Sequence, residues 1–173
     1  DSALAYKRHF PAINWLTSYS QYLDSLGSWF DGNVSEDWME NRQKLMSLLQ
    51  DEAELEEIVK MVGMDALSPA DRLKMEAARS VREDFLHQNS FHEIDTYTSL
   101  EKQLLMMRLV IAYYEKSKEA LDQGASIHGL LNMAVRERIG RYKYTPEKDI
   151  EKEYEAICDE LTTQAAQQIG KGE

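Results

Sequence analysis

The chain has 173 residues, with 20 Lys plus Arg against 31 Asp plus Glu, a formal net charge of −11 and a single cysteine, Cys158. That length suits one compact unit burying about 70% of the surface its unfolded form exposes, while the acidity repels phosphate backbones and argues against a nucleic-acid binder. One cysteine forbids an internal disulfide, nothing reads as a secretory leader, and a reducing cytoplasm is the expected compartment.

The first thirty residues are aromatic and punctuated by Pro11, Gly27 and Asp31-Gly32-Asn33, without a helical apolar stripe. They read as a short non-helical remnant of a neighbouring domain, and any strand is expected there. The rest reads as all-α, a multi-helix array. Only three prolines occur, each at a predicted boundary.

Ser35, with Glu36 and Asp37 behind it, opens a helix whose stripe includes Trp38, Leu45 and Leu49. A second, short helix is expected from Leu55 to Val62, ending at Gly63. Ser68 can cap the next helix, Pro69 is preset for its first turn, and Asp71 favours the positive helix end. Leu73, Ala77, Val81 and Phe85 then face one way. Thr98 and Glu101 suit a capping box for a helix over Ser99 to Gln123, with Leu100, Leu104, Met107, Ile111, Tyr114 and Leu121 as its stripe and Gly124 as its stop. Its apolar run is broken by Arg108 and falls short of the ~20 residues a membrane span needs. A further short helix is expected over Ser126 to Arg138, stopped at Gly140. Thr145, Pro146, Glu147 and Asp149 start the last helix, which buries Ile150, Tyr154, Ile157, Leu161 and Ala165. The polar end, Gln164 to Glu173, is expected to fray.

Chemistry by this chain alone has little to stand on. None of its eight glycines builds a phosphate-cradling loop before Lys and Ser or Thr. The four histidines, His9, His87, His92 and His128, lack the i, i+4 pairing of a helical metal site, and no nucleophile with a base or pair of facing carboxylates stands out, so no metal ligand and no catalytic residue is assigned. Cys158, beside Ile157, suits a small core position. Arg136, Arg138, Arg141 and Lys143 form a basic cluster that reads either as a solvated face complementing a helix end or as a contact with another subunit.

Four segments carry a resemblance over nearly the whole chain. Lys7-Arg8-His9-Phe10-Pro11-Ala12-Ile13-Asn14-Trp15-Leu16-Thr17-Ser18-Tyr19-Ser20 resembles the stretch that closes the nucleotide-binding domain in the catalytic subunits, or alpha chains, of V-type and A-type rotary ATPases. Asp65-Ala66-Leu67-Ser68-Pro69-Ala70-Asp71 sits where those subunits carry a helix-turn-helix facing the rotor. Arg79 to Asn89 and Val135 to Arg141 continue the likeness.

The resemblance implies a C-terminal fragment, with residues 1–33 the tail of the nucleotide-binding domain plus a hinge near Gly27 to Asn33, and residues 34–173 the helical domain. It implies an adenine contact at Phe10 and Pro11, with a second aromatic at Phe91 and Phe85 close by, although all three rings also suit plain core positions. Stacking is worth about 1–3 kcal/mol per base, so two rings hold adenine only weakly without a phosphate loop. It implies a rotor contact at Asp65, Ala66, Leu67, Ser68, Pro69, Ala70 and Asp71. The matching loop of the F-type beta subunit is densely acidic, whereas Ala66, Pro69 and Ala70 are not, which favours contact by shape. The implied parent binds ATP or ADP with Mg, alternates in a ring with the B-type subunit, engages central-stalk subunits, and couples ATP hydrolysis or synthesis to proton or sodium transport from the cytoplasmic side of a membrane. The fragment alone is expected to hold no nucleotide and to hydrolyse no ATP. The rival reading is a free-standing acidic helical adaptor, which has no evident use for Phe-Pro-Ala-Ile-Asn-Trp.

Overall fold

The computed structural model describes residues 1–171, and among them there is no strand, only an isolated bridge between Ala125 and Ile169. The chain runs through α1 (Ser2–Tyr6), α2 (Leu23–Asn33), α3 (Trp38–Val62), α4 (Pro69–Ser80), α5 (Leu100–Asp122), α6 (Ile127–Leu131), α7 (Val135–Arg141) and α8 (Ile150–Gln168). Single 3-10 turns cover Met64–Ala66, Tyr142–Tyr144 and Glu147–Asp149, and a π-helical turn, Val81–Leu86, continues α4. The all-α reading holds.

Helix α5 is the axis of the fold, packed against α3, α4 and α8. The predicted stripe supplies Leu104, Met107 and Ile111 to the core, but Leu105, Met106, Leu109, Val110 and Tyr113 are buried too. A helix apolar on several sides is one surrounded by others. Its cap lies one residue later than the Thr98 box: Ser99 Oγ accepts from the Lys102 N–H at 3.1 Å and donates to Glu147 at 2.8 Å. Gly124 is left-handed, at φ 84°, as its place after the helix requires.

Helix α3 is one unbroken element where the pattern predicts two. The apolar stripe lapses after Leu49 because Glu52 stands in it, buried and forked to the Arg82 guanidinium at 2.8 and 3.0 Å. A buried ion pair mimics a helix end in sequence, and the residues around it are good helix formers. The non-helical N-terminal part is also shorter than expected, because Leu23–Asn33 is helical. Gly27 lets that helix approach Met39, to within 3.6 Å of a Cβ placed there, and Phe30 stacks on Trp38 with ring centroids 4.7 Å apart. Tertiary contact overrides two glycines here.

The expected 126–138 helix divides into α6 and α7 around Asn132 to Ala134, and Gly140 lies inside α7 rather than stopping it. A Cβ on Gly140 would come 2.9 Å from Asp84 Oδ1. Helix α8 begins after the 3-10 turn and buries Ile150, Ile157, Leu161 and Ala165, with Tyr154 and Cys158 half-buried beside them. The segment expected to fray is helical up to Gln168, and its last two residues lie outside those described.

Candidate functional site

The sequence-derived site residues fall at the two ends of α4. At its N-terminal end α3 stops at Gly63, which has φ 85°, and one 3-10 turn leads into an extended Leu67 and Ser68. Ser68 Oγ accepts from the Asp71 N–H at 3.1 Å and donates to the Asp71 carboxylate at 2.6 Å. Asp65, Ala66, Ser68, Pro69 and Ala70 are exposed and Asp71 is half-exposed, while Leu67 is tucked in. Behind this tip Leu73, Ala77 and Val81 are buried. A pointed, locally capped tip thus stands on a packed helix.

Its flank holds something the sequence does not announce. Ile58, Met61, Val62 and Met64 are exposed apolar side chains on the last turns of α3 and the 3-10 turn. Their spacing reads as the buried face of a short helix, and nothing in a single sequence separates a covered stripe from a bare one.

At the other end α4 widens into the π-helical turn, whose carbonyls take partners from far along the chain. The Arg82 carbonyl accepts the His87 N–H at 2.9 Å and lies 3.0 Å from His9 Nε2. Lys143 Nζ donates to the Glu83 and His87 carbonyls at 2.8 and 3.0 Å. Lys102 Nζ in turn donates to the carbonyls of Lys143 and Thr145, both at 2.7 Å. Two buried ammonium groups therefore close two helical ends in series, each where a helix leaves carbonyls unmet. Burial pulls both lysine pKa values below their usual range. Asp84, on the same turn, is pushed up by burial, although the Ser80 hydroxyl bonds to it. His87 is lowered, first by burial and then by Lys143 and His9.

The 87–98 segment folds back on itself around Asp95, which is buried and accepts the Asn89 N–H at 2.6 Å. Gln88 donates its N–H to the Phe10 carbonyl at 2.8 Å, so the N-terminal segment is laid against this segment. Phe10 joins Pro11 through a cis peptide bond, and its ring is 52% exposed. Pro11 and Phe85 line one pocket of about 240 Å³ with Gln88, Thr98 and Met106. Phe91, three residues past Gln88, is 97% exposed, and its backbone N–H donates to Asn89 Oδ1 at 3.1 Å. The structure thus brings Pro11 and Phe85 to one pocket and ties the Phe10 backbone to Gln88 at its edge, while Phe91 is exposed and takes no part in that lining.

The sequence matches the family described as the C-terminal domain of V and A type ATP synthase over residues 27–130. The chain belongs to this family. It is 57% identical over 171 residues to the V-type ATP synthase alpha chain of Acetivibrio thermocellus, 55% over 172 to that of Clostridium botulinum strain Loch Maree, and 52% over 171 to that of Clostridioides difficile. Each alignment takes in 99% of this chain and 29% of the relative, so the chain spans under a third of the length of these proteins.

Within this ATP synthase domain the basic cluster needs correcting. Lys143 is buried and caps the π-helical turn, so it belongs to no solvated face. Arg136 pairs with Glu76 and the Leu131 carbonyl and lies 5.0 Å over the Tyr113 ring. Arg138 bridges Glu153 and Glu160 on α8. Only Arg141, weakly paired with Glu137 at 3.5 Å, fits the exposed description. Sequence spacing shows cations close to a helix end but not which carbonyls or carboxylates the fold delivers to them. Among the described residues no helix is long and apolar enough to cross a membrane.

Proposed function

We propose that this chain is the part of a rotary ATPase catalytic subunit that turns nucleotide-driven movement into a push on the central stalk. The observation that carries this is the geometry of α4. One end is an exposed tip at Asp65 to Ala70, and the other is tied by backbone and side-chain bonds to the segment around His9 and Phe10. A packed helix with one end held and the other bare transmits displacement as a rigid body.

In this reading Phe10 and Phe91 present ring faces to the adenine of ATP or ADP, and Pro11 and Phe85 shape the floor behind them. Their exposure suits rings that wait for a flat partner, and aromatic faces stack on purines without further recognition. Phosphates and Mg would be held by other parts of the parent, since this chain carries no Gly-rich loop for them. The B-type subunit and the stalk subunits are the partners, proton or sodium movement is the coupled process, and the complex works at the cytoplasmic face of a membrane. By itself the chain turns over no ATP.

The test uses the assembled ATPase with Ala66→Cys in this chain and a cysteine scan along the stalk helix. Oxidation is expected to yield a disulfide-linked product of the two polypeptides and to stop ATP-driven rotation, with recovery on reduction. Absence of any cross-link along the stalk helix, with rotation untouched, would reject the tip as the stalk contact.

A further inference from the structure

The groove between α4 and α6 collects guanidinium groups in an otherwise acidic molecule. It encloses about 360 Å³ and is lined by Arg72, Glu76, Arg79 and Arg136, with Ile127 and Leu131 as its apolar wall. Glu76 is the one carboxylate in this lining, and it is already shared: Arg136 bonds to it and Arg79 lies 3.6 Å away. Arg79 otherwise reaches Glu83 at 3.0 Å. Arg72 has neither an ion pair nor a side-chain hydrogen bond among the described residues, and its Nε–H is buried without an acceptor. Buried donors are almost always met, so an unmet one on a side chain that lines a groove points to an acceptor supplied from outside.

We propose that this groove docks an acidic side chain on a protein segment from outside this chain, its carboxylate accepting from Arg72 and Arg79. A guanidinium offers a planar fork matched to a carboxylate, and partial burial makes such a pair strong. The apolar wall decides between a free anion and a protein segment. Ile127 and Leu131, both half-buried, offer nothing to inorganic phosphate but can cover a leucine or valine flanking the carboxylate. Charge complementarity also selects the partner, because a chain whose net charge is −11 disfavours an acidic segment away from such a cluster of arginines. Most of the length of the related alpha chains lies beyond this region, and they supply candidate segments. The inference stands apart from the stalk and adenine readings, which use neither Arg72 nor α6.

The experiment is an NMR titration of the 173-residue chain, following arginine Nε–Hε signals. Acetyl-Leu-Glu-Leu-amide is expected to shift the Arg72 and Arg79 signals saturably. Acetyl-Leu-Gln-Leu-amide should bind at least tenfold more weakly, and Arg72→Met should abolish the Arg79 response while the backbone amide spectrum stays folded. Should Arg72→Met perturb that spectrum, Arg72→Lys replaces it; the charge without the fork should still cost several-fold in affinity. No saturable shift with the glutamate peptide overturns the proposal, as does equal affinity in the Arg72 variants. Inorganic phosphate binding as tightly as the peptide makes this a small-anion site and rejects the protein segment.

Discussion

The two connections flanking α4 are built on opposite plans. The α3–α4 tip satisfies itself within a few residues, through Gly63, the 3-10 turn and the Ser68–Asp71 cap. The α4–α5 connection satisfies itself with groups that are tens of residues away, Glu52, His9 and Lys143. The first can vary its surface without disturbing the fold, and the second cannot. A working surface belongs on the first kind of segment and a joint on the second.

The largest test of this contrast is Val81→Asp. Val81 is fully buried where α4 passes into the π-helical turn. An unpaired carboxylate there should cost about 4 kcal/mol or more and leave the chain unfolded by circular dichroism at room temperature. A folded variant would mean that the seam is less tightly packed than its burial indicates. Next comes Lys143→Met, which leaves the Glu83 and His87 carbonyls without their donor. Bonds to a charged donor contribute about 1.5–3 kcal/mol each, partly offset here by relief of the buried charge, so a loss of about 2–3 kcal/mol in urea denaturation is expected.

Gly140→Ala sharpens the comparison further. Helix propensity alone favours the change by about 0.5–1 kcal/mol. The added Cβ would meet Asp84 Oδ1 at 2.9 Å, and that carboxyl is held by Ser80. The clash should win, giving a net loss of about 1 kcal/mol, since overpacking costs about 1–3 kcal/mol. Stabilisation in a thermal melt would show that Asp84 swings away freely.

How much of this is legible in the sequence follows the same division. Ser68, Pro69 and Asp71 announce a helix start because capping is local chemistry, and the tip stands where they place it. Leu73, Ala77 and Val81 announce a buried face by spacing alone. Glu52, Lys102 and Lys143 give no such signal, because a buried charge is explained only by a partner that the fold brings from elsewhere. The helix at Leu23–Asn33 is hidden for the same reason, since Phe30 against Trp38 outweighs two glycines only once the elements meet. Of the residues proposed to meet adenine, the exposure of Phe91 and the Phe10–Gln88 tie are tertiary facts that no periodicity carries.

Acid brings a smaller effect, read at the junction of α3 and α5. The Arg108 guanidinium, forked to Asp37 at 2.8 and 2.9 Å, holds its carboxyl well below the usual carboxylate range, helped by Ser35 and Asn41. A depressed carboxyl contributes stability that is complete above its unfolded value, about 3.9, and is lost as pH falls toward the folded value. Asp84 is shifted the other way by burial, so its contribution is lost as pH rises above that same point. Below about pH 4 the Asp37 effect therefore stands alone of the two. Asp37→Asn should flatten the acid limb of stability there by about 1 kcal/mol, discounted because both partners are about a third exposed. An unchanged acid limb would show that solvent already screens the pair.

The smallest expected effect decides the most. Ala66→Glu with Ala70→Lys alters the tip without touching Leu67, Ser68 or the buried stripe, and exposed substitutions of this kind usually stay within about ±0.5 kcal/mol. The melting temperature of the chain should therefore hardly move. In the assembled ATPase the same pair enlarges the surface proposed to bear on the stalk, and the ion movement achieved per ATP hydrolysed should fall while hydrolysis persists. Silence in both settings would leave the tip as a helix start and nothing more, and the push would have to pass through the apolar flank at Ile58, Met61, Val62 and Met64, where Met61→Glu is the next substitution to make. Destabilisation of the chain by as much as Val81→Asp would instead make the tip part of the core and abolish the distinction between the two ends of α4.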